Sequence, residues 1–483
     1  MFIRGQLVQF VAGHNRGAAK LAAQFLLLAC LFAGYHFGLQ WLMLHAGLKL
    51  GAVRPSDKVY RFVPLYGYWE PHLKTGLLVA VAVIAGWLWY FCRWIWLART
   101  HLAVVLPALM IAHVLIASSV AMIDGGPRRL WRPYELLDGT DYIGAVAKVD
   151  SLKAFLSDYP SLMPELPMHC RTHPPGGVLF LWAVALLFGD GPVPAAWATI
   201  FGSSLMVPAV YLLARNVLDE QSARLASSFF ILSPSIVMFS ATLLDAVFGV
   251  PIVWSAYFLW KARGGRPLVY GALGGAAAAI AAGMTFSASF LALWAVVVLA
   301  LTALAEQCRI RNSLLGMTAA VATSAVLYAA LYAWSGYDAW ATFAEAMAGQ
   351  SKIMAGRGHD SLRQDLHFAV ANLVAFSFCA GLPLATLWLR RIGHLLLGVD
   401  KDAGDRLLAG SFLVSLTIFA AAPLYTLEVE HIWLFLVPFV AIGAAAVAER
   451  DSNDGQGHAI AVTSLVLLAV QTVLMEVFLE TTW

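Results

Sequence analysis

The chain has 483 residues, 60% hydrophobic and 12% charged, with a mean hydropathy of +0.75. A soluble domain carries about 25% charged residues, so these proportions exclude a soluble globular protein and point to an all-α polytopic membrane protein. The net charge of +3 gives no electrostatic footprint for nucleic acid, and no nucleic-acid partner is expected.

Crossing ~30 Å of hydrocarbon takes about 20 apolar residues. Thirteen segments meet this: 20–44, 76–98, 102–123, 192–214, 223–243, 245–262, 268–285, 287–305, 315–334, 367–389, 407–425, 432–448 and 458–479. The basic N-terminus (Arg4, Arg16, Lys20) leads into a long apolar run without a small-residue cleavage site, which reads as the first span. Further interfacial helices are expected. A fourteenth apolar run, Val178 to Phe188, covers roughly 17 Å as a helix and is too short to cross.

The positive-inside rule agrees that this run does not cross. With a cytoplasmic N-terminus, the short basic turns then fall on one side: Arg93 and Arg99, Arg215 and Arg224, Lys261 to Arg266, Arg309 and Arg311, Arg390 to Arg406, and Arg450. The long polar connections 45–75, 124–177 and 335–366 share the other, extracytoplasmic side. This divides the chain into an N-terminal three-helix region (1–123), an outer catalytic loop (124–177) and a bundle (178–483) carrying outer loop 335–366. "DYIGAVAKVDSLKAFL" within the second has apolar residues at helical spacing, as an interfacial amphipathic helix does. "GALGGAAAAIAAG" (271–283) has small residues at helix-packing spacing. Of five cysteines, only Cys170 falls in a long polar loop, so no disulfide framework is expected.

The chemically capable residues cluster on the extracytoplasmic side. "ELLDGTDYIGAV" holds Glu135, Asp138 and Asp141; a carboxylate here can take the proton of an attacking hydroxyl, help worth about 10²–10⁴-fold, or Asp141 simply N-caps the next helix. In "CRTHPPGGVLFLW", Arg171 and His173 can donate charge-assisted hydrogen bonds to a phosphate. Pro174 and Pro175 keep the backbone extended, and Gly176 and Gly177 allow a ligand close; the other reading is a basic residue snorkelling to headgroups. Asp245 in "SATLLDAVFGVP" is either functional or a helix cap, since a carboxylate costs about 2.5–3.5 kcal/mol at a helix centre and less near the interface. Arg357, His359, Asp360 and Arg363 form a polar group in the third loop, and Glu428, Glu430 and His431 share a short turn in "LEVEHIWLFLVP". Two acids and a histidine can bind sugar hydroxyls, a metal or a cation. Within the spans, His36 and His113 are the clearest ionisable residues, and a hydrogen bond inside the bundle accounts for either.

Four stretches taken in order, "GTDYIGAVAKV", "THPPGGVLFLWAVALLFGDG", "ARNVLDEQSARLASSFFILSPSIVMFSATLLD" and "EVEHIWLFLVP", resemble the GT-C superfamily of integral membrane glycosyltransferases. The nearest branch resembles protein mannosyltransferases and aminoarabinose transferases. The resemblance implies a bacterial cytoplasmic (inner) membrane enzyme that moves a sugar from a polyprenyl-phosphate-linked donor to a lipid, glycan or protein acceptor hydroxyl. It implies Asp141 as the catalytic residue, with Asp138 as the runner-up and Asp245 as the acidic residue of a later helix pair. Tyr142, Arg171, His173, Arg357, Glu428, Glu430 and His431 are then expected around the donor phosphate and substrate. The implied cofactor is none for certain, with a divalent metal ion left open. Two features differ from the family pattern: two extra spans (20–44 and 76–98) come first, and the family's Asp-Glu pair is Asp141-Tyr142. A lipid or polysaccharide transporter (flippase) needs midplane charge and often repeated halves, neither of which is evident. A ligase or phosphotransferase using a lipid-linked donor needs the same base, phosphate clamp and lipid groove, and stays open.

Overall fold

The computed structural model describes residues 16–48, 62–65, 67–71, 74–96, 100–136, 142–357, 361–399, 402–425, 427–450 and 457–481. It is a multi-pass helical bundle, as apolar chains in lipid must satisfy their backbone groups internally. The N-terminal helices are α1 (Arg16–His45), α2 (Gly76–Tyr90, continued by a π turn) and α3 (Leu102–Ala121). The segment after α3 carries α4 (Arg132–Leu136) and α5 (Leu152–Leu162). Then come α6 (Gly176–Phe188), α7 (Pro192–Ser204), α8 (Met206–Arg215), α9 (Glu220–Leu232), α10 (Pro234–Phe239), α11 (Asp245–Ala262), α12 (Pro267–Met284), α13 (Ser289–Ala305) and α14 (Ile310–Ser335). The third loop holds α15 (Ala339–Arg357), followed by α16 (Leu362–Ala380), α17 (Leu382–Leu396), α18 (Ala403–Ala421), α19 (Val429–Ile432), α20 (Val437–Arg450) and α21 (Gly457–Phe478).

Among the described residues, nine helices are long and apolar enough to cross a membrane, or ten if the bent pair α16–α17 counts as one span. These ten correspond to ten of the thirteen expected segments. The other three are helical too, but 223–243 is broken into α9 and α10, 245–262 is α11, and 432–448 is a shorter apolar helix. α6 has 13 residues, about 20 Å of rise, two-thirds of the hydrocarbon thickness.

Two breaks inside the bundle are joined to each other. α9 stops at Ser233 because Pro234 has no N–H and pushes its predecessor into extended backbone. α16 stops at Gly381, whose φ of +113° suits glycine, and α17 leaves at 115°. The Ser233 hydroxyl donates to the Ala380 carbonyl at 2.8 Å. Gln471 on α21 donates to the Phe378 carbonyl at 2.8 Å and accepts from the Leu382 N–H at 2.7 Å. Thr472 donates to the Leu232 carbonyl at 2.8 Å. Backbone groups released by the two breaks are thus satisfied inside the apolar core, where leaving them bare is costly.

The small-residue stretch does pack helix against helix: a Cβ at Gly271 or Gly275 would overlap the α14 carbonyls of Gly316 and Ala320. His36 Nδ1 donates to the Val63 carbonyl at 2.6 Å and His113 Nε2 bonds Ser203 Oγ at 3.0 Å, so both have partners within the bundle. Three arginines at the end of the bundle away from Asp245 are held in ion pairs. Arg391 pairs with Asp405 at 2.8 Å, Arg263 with Glu306 at 2.6 Å, and Arg224 with Glu220 at 2.8 Å.

Two local expectations differ. Instead of one amphipathic helix, 142–162 forms a 3-10 turn (Tyr142–Lys148) and then α5, because Ser151 caps a new helix by accepting from the Ala154 N–H. A two-stranded antiparallel ribbon, β1 (Gly67–Trp69) with β2 (Leu479–Thr481), also departs from the all-helical expectation and ties the first long loop to the end of α21.

Candidate active site

Asp245 is the first residue of α11, where the helix dipole favours a carboxylate. Opposite it lies α19, a four-residue helix bearing His431, whose Nδ1 donates to Asp245 Oδ2 at 3.2 Å. Both side chains are largely shielded from solvent, at 8% and 21% exposure. Burial by itself lowers the His431 pKa, but the Asp245 carboxylate and the neighbouring Glu430 and Glu428 outweigh it and leave the imidazole above its ordinary value. His431 is therefore the favoured cation of the site.

The His-Pro-Pro segment supplies the second wall. His173 follows a 3-10 turn (Met168–Thr172), and its Nδ1 donates to the His169 carbonyl at 3.0 Å. Burial is the main cause of a lowered His173 pKa, against the pull of Asp245. With Nδ1–H committed to that carbonyl, Nε2 is the ring nitrogen left to face the site. The Tyr159 hydroxyl bonds the Cys170 and His173 carbonyls at 3.1 and 3.0 Å, fixing this turn from α5.

Tyr142 fills the space between the walls. Its ring meets His173 edge-on at 5.9 Å and Phe248 of α11 edge-on at 5.6 Å, and lies 6.0 Å from His169. The paired glycines seat these groups. A Cβ at Gly177 would come within 2.7 Å of the Tyr142 ring, and one at Gly176 would overlap the Gly283 carbonyl of α12. The close approach expected for a ligand is made here by the protein's own ring and backbone.

The turn carrying His431 is held from below. Asn372 on α16, 2% exposed, donates to the Tyr425 carbonyl at 3.0 Å and accepts from the Leu427 N–H at 3.1 Å. These bonds hold the chain where it enters two successive residues in left-handed backbone, Leu427 (φ +70°) and Glu428 (φ +66°), a conformation costing roughly 1–2 kcal/mol each. From above, α15 crosses both walls: Gly349 approaches the Arg171 carbonyl, and Gln350 donates to the Leu424 carbonyl at 3.3 Å.

The structure therefore gathers Asp245, His431, His173 and Tyr142, with Glu430 buried and Glu428 half-buried on the same turn. Arg171 is exposed, and its Nε donates to the Leu166 carbonyl at 2.7 Å. Asp138 and Asp141 lie outside the described residues, as do His359 and Asp360, and the Arg357 side chain is likewise not described. Arg363 is exposed at the start of α16. Among the described residues, no group of three or more His, Cys, Asp or Glu side chains is arranged to hold a metal ion. Sequence reasoning missed His169, four positions before His173, and also Tyr159 and Asn372.

Residues 172–334, one third of the chain, match the model of a family described as dolichyl-phosphate-mannose-protein mannosyltransferase. Two of the four stretches that carry the resemblance, those beginning at Thr172 and Ala214, lie within it. Solved structures similar to this chain include the oligosaccharyltransferase AglB of Archaeoglobus fulgidus in complex with an inhibitory peptide and a dolichol-phosphate, at 12% identity and TM-score 0.48, covering 82% of this chain and 57% of that one. ArnT of Cupriavidus metallidurans bound to undecaprenyl phosphate is similar at 12% identity and TM-score 0.45, covering 74% and 62%. The Archaeoglobus fulgidus oligosaccharyltransferase complex with Zn and sulfate gives 12%, 0.47, 77% and 54%. The chain thus spans 54 to 62% of the length of these structures. No curated protein matches its sequence.

Proposed function

We propose that this protein is a GT-C-type glycosyltransferase that moves a sugar from a polyprenyl-phosphate-linked donor to an acceptor hydroxyl at the extracytoplasmic face of a bacterial cytoplasmic membrane. The observation that carries the reading is the convergence of Asp245, His431, His173 and Tyr142 at one end of the bundle. Two of those residues, Asp245 and His173, fall within the segment matching the mannosyltransferase family, as do Gly176 and Gly177. The basic turns on the opposite side support the stated orientation.

In this reading Asp141 accepts the proton of the acceptor hydroxyl, whose oxygen attacks the anomeric carbon. The bond from that carbon to the donor phosphate oxygen breaks, and the phosphate departs with its electron pair. His431, held protonated by Asp245, and Arg171 stabilise the leaving phosphate. Asp245 orients His431 and carries no proton in the step. Single displacement inverts the anomeric centre.

A transporter reading draws on the paired helix breaks, a feature of transporter binding sites. Here the buried Ser233, Gln471 and Thr472 bond the backbone of the breaks themselves, which favours a static role.

The test is transfer from radiolabelled polyprenyl-phosphate sugars to membrane extract by purified protein. Wild type transfers label, and Asp141→Asn and His431→Gln lose about 10²-fold or more. No transfer from any lipid donor, together with substrate flux into liposomes, would overturn the reading in favour of transport.

A further inference from the structure

A cavity rimmed by charged side chains lies in the segment that follows α3. It measures about 340 Å³ and is lined by Asp124, Gly125, Arg128, Arg129, Arg132, Glu135 and Leu136. We propose that it is an anion site for a phosphate group, occupied by the phosphodiester headgroup of an anionic membrane lipid or by a soluble phosphate.

The floor is built and rigid. Asp124 is buried and forms ion pairs with Arg129 and Lys74, while the Arg129 Nε donates to the Asp124 carbonyl at 3.2 Å. Leu130, between Arg129 and the cavity's outer wall, packs with Ala121, Ile200 and Ala241, anchoring the segment to α3, α7 and the turn after α10. The floor is thus neutralised internally, and Asp124 is spent on Arg129 and Lys74.

The rim is different. Arg128 is 74% exposed and meets Glu135 at 3.2 Å, a solvent-facing pair that a stronger anion can displace. Arg132 is exposed and lines the same cavity. Two guanidinium forks over one cavity suit a phosphate, whose oxygens accept bidentate hydrogen bonds. The cavity begins three residues beyond α3, a membrane span. That is the depth at which lipid phosphates lie and at which basic clusters recognise them.

The test uses the purified full-length protein in micelles, with bound lipid counted by native mass spectrometry. The lipid probes are phosphatidylglycerol and the phosphate-free diacylglycerol; inorganic phosphate is the soluble competitor. Phosphatidylglycerol is retained over diacylglycerol, and Arg128→Gln/Arg132→Gln weakens its retention about tenfold or more. Glu135→Gln frees Arg128 and strengthens it. Competition by millimolar phosphate identifies the free anion as a ligand of the same site, and its failure to compete assigns the site to lipid. Equal retention of the two lipids with no effect of phosphate overturns the proposal. So does phosphatidylglycerol retention that Glu135→Gln leaves unchanged, a readout that holds even if the double variant fails to fold.

Discussion

Asp245 and His431 lie 186 positions apart in the chain, yet their side chains meet at 3.2 Å. The pair joins the N-terminus of α11 to the short helix α19, so it serves charge placement and architecture together.

This pairing sets a pH dependence with a defined sign. The folded His431 pKa lies above its ordinary value, so the stability it contributes is complete below about 6.5 and is lost as pH rises through the raised folded value. Asp245→Asn should cost about 1–3 kcal/mol at low pH. Thermal melts across the pH range should show the gap between wild type and variant narrowing as pH rises.

The glycine pair should respond unequally to a methyl group. Gly176→Ala meets the Gly283 carbonyl of α12, which is backbone, whereas Gly177→Ala meets the Tyr142 ring, which can tilt. Each overpacks the site by about 1–3 kcal/mol. Gly176→Ala should lower the melting temperature more, and Gly177→Ala should depress transfer more than stability, because it displaces Tyr142 from His173.

Asn372→Leu should remove both hydrogen bonds that hold the turn at Tyr425 and Leu427. The left-handed turn then relaxes and His431 drifts from Asp245. We expect at least a tenfold fall in transfer with helix content unchanged by circular dichroism, and a partial rescue by Asn372→Asp, which keeps the acceptor for the Leu427 N–H.

Asp405→Asn should destabilise the far end of the bundle by about 3–5 kcal/mol, since it removes the carboxylate facing a buried guanidinium. Replacing both partners, Arg391→Met with Asp405→Leu, should recover most of that loss in a detergent melt. If the double variant is no better than the single one, the pair is not what stabilises α17 against α18.

Most spans were legible because twenty apolar residues have few other uses. The break at Ser233 was not, because Ser-Pro inside an apolar run scores as a span and its partners lie on α16 and α21. The same holds for Gly381: the 115° bend requires the later Gln471, which apolar periodicity does not reveal. For the site, local chemistry picked out Asp245, His173 and His431 singly, and the family resemblance added Tyr142. Their union depends on helix packing across hundreds of positions. Asn372 was invisible because a lone amide within a span resembles any bundle-facing polar residue. His169 carries no signal of its own beside the more conspicuous proline motif that follows it. The short ribbon β1–β2 pairs three residues with three others more than four hundred positions away, beyond any local pattern.

The paired breaks impose an order on biogenesis. Leu232, Phe378 and Leu382 emerge from the ribosome well before Gln471 and Thr472, the side chains that complete their backbone bonding. Until α21 inserts, those amides and carbonyls depend on water, translocon or chaperone. The last helix therefore acts as the keystone of the bundle, and a nascent chain halted before residue 471 should stay protease-sensitive at Ser233 and Gly381 even though every earlier span has been made.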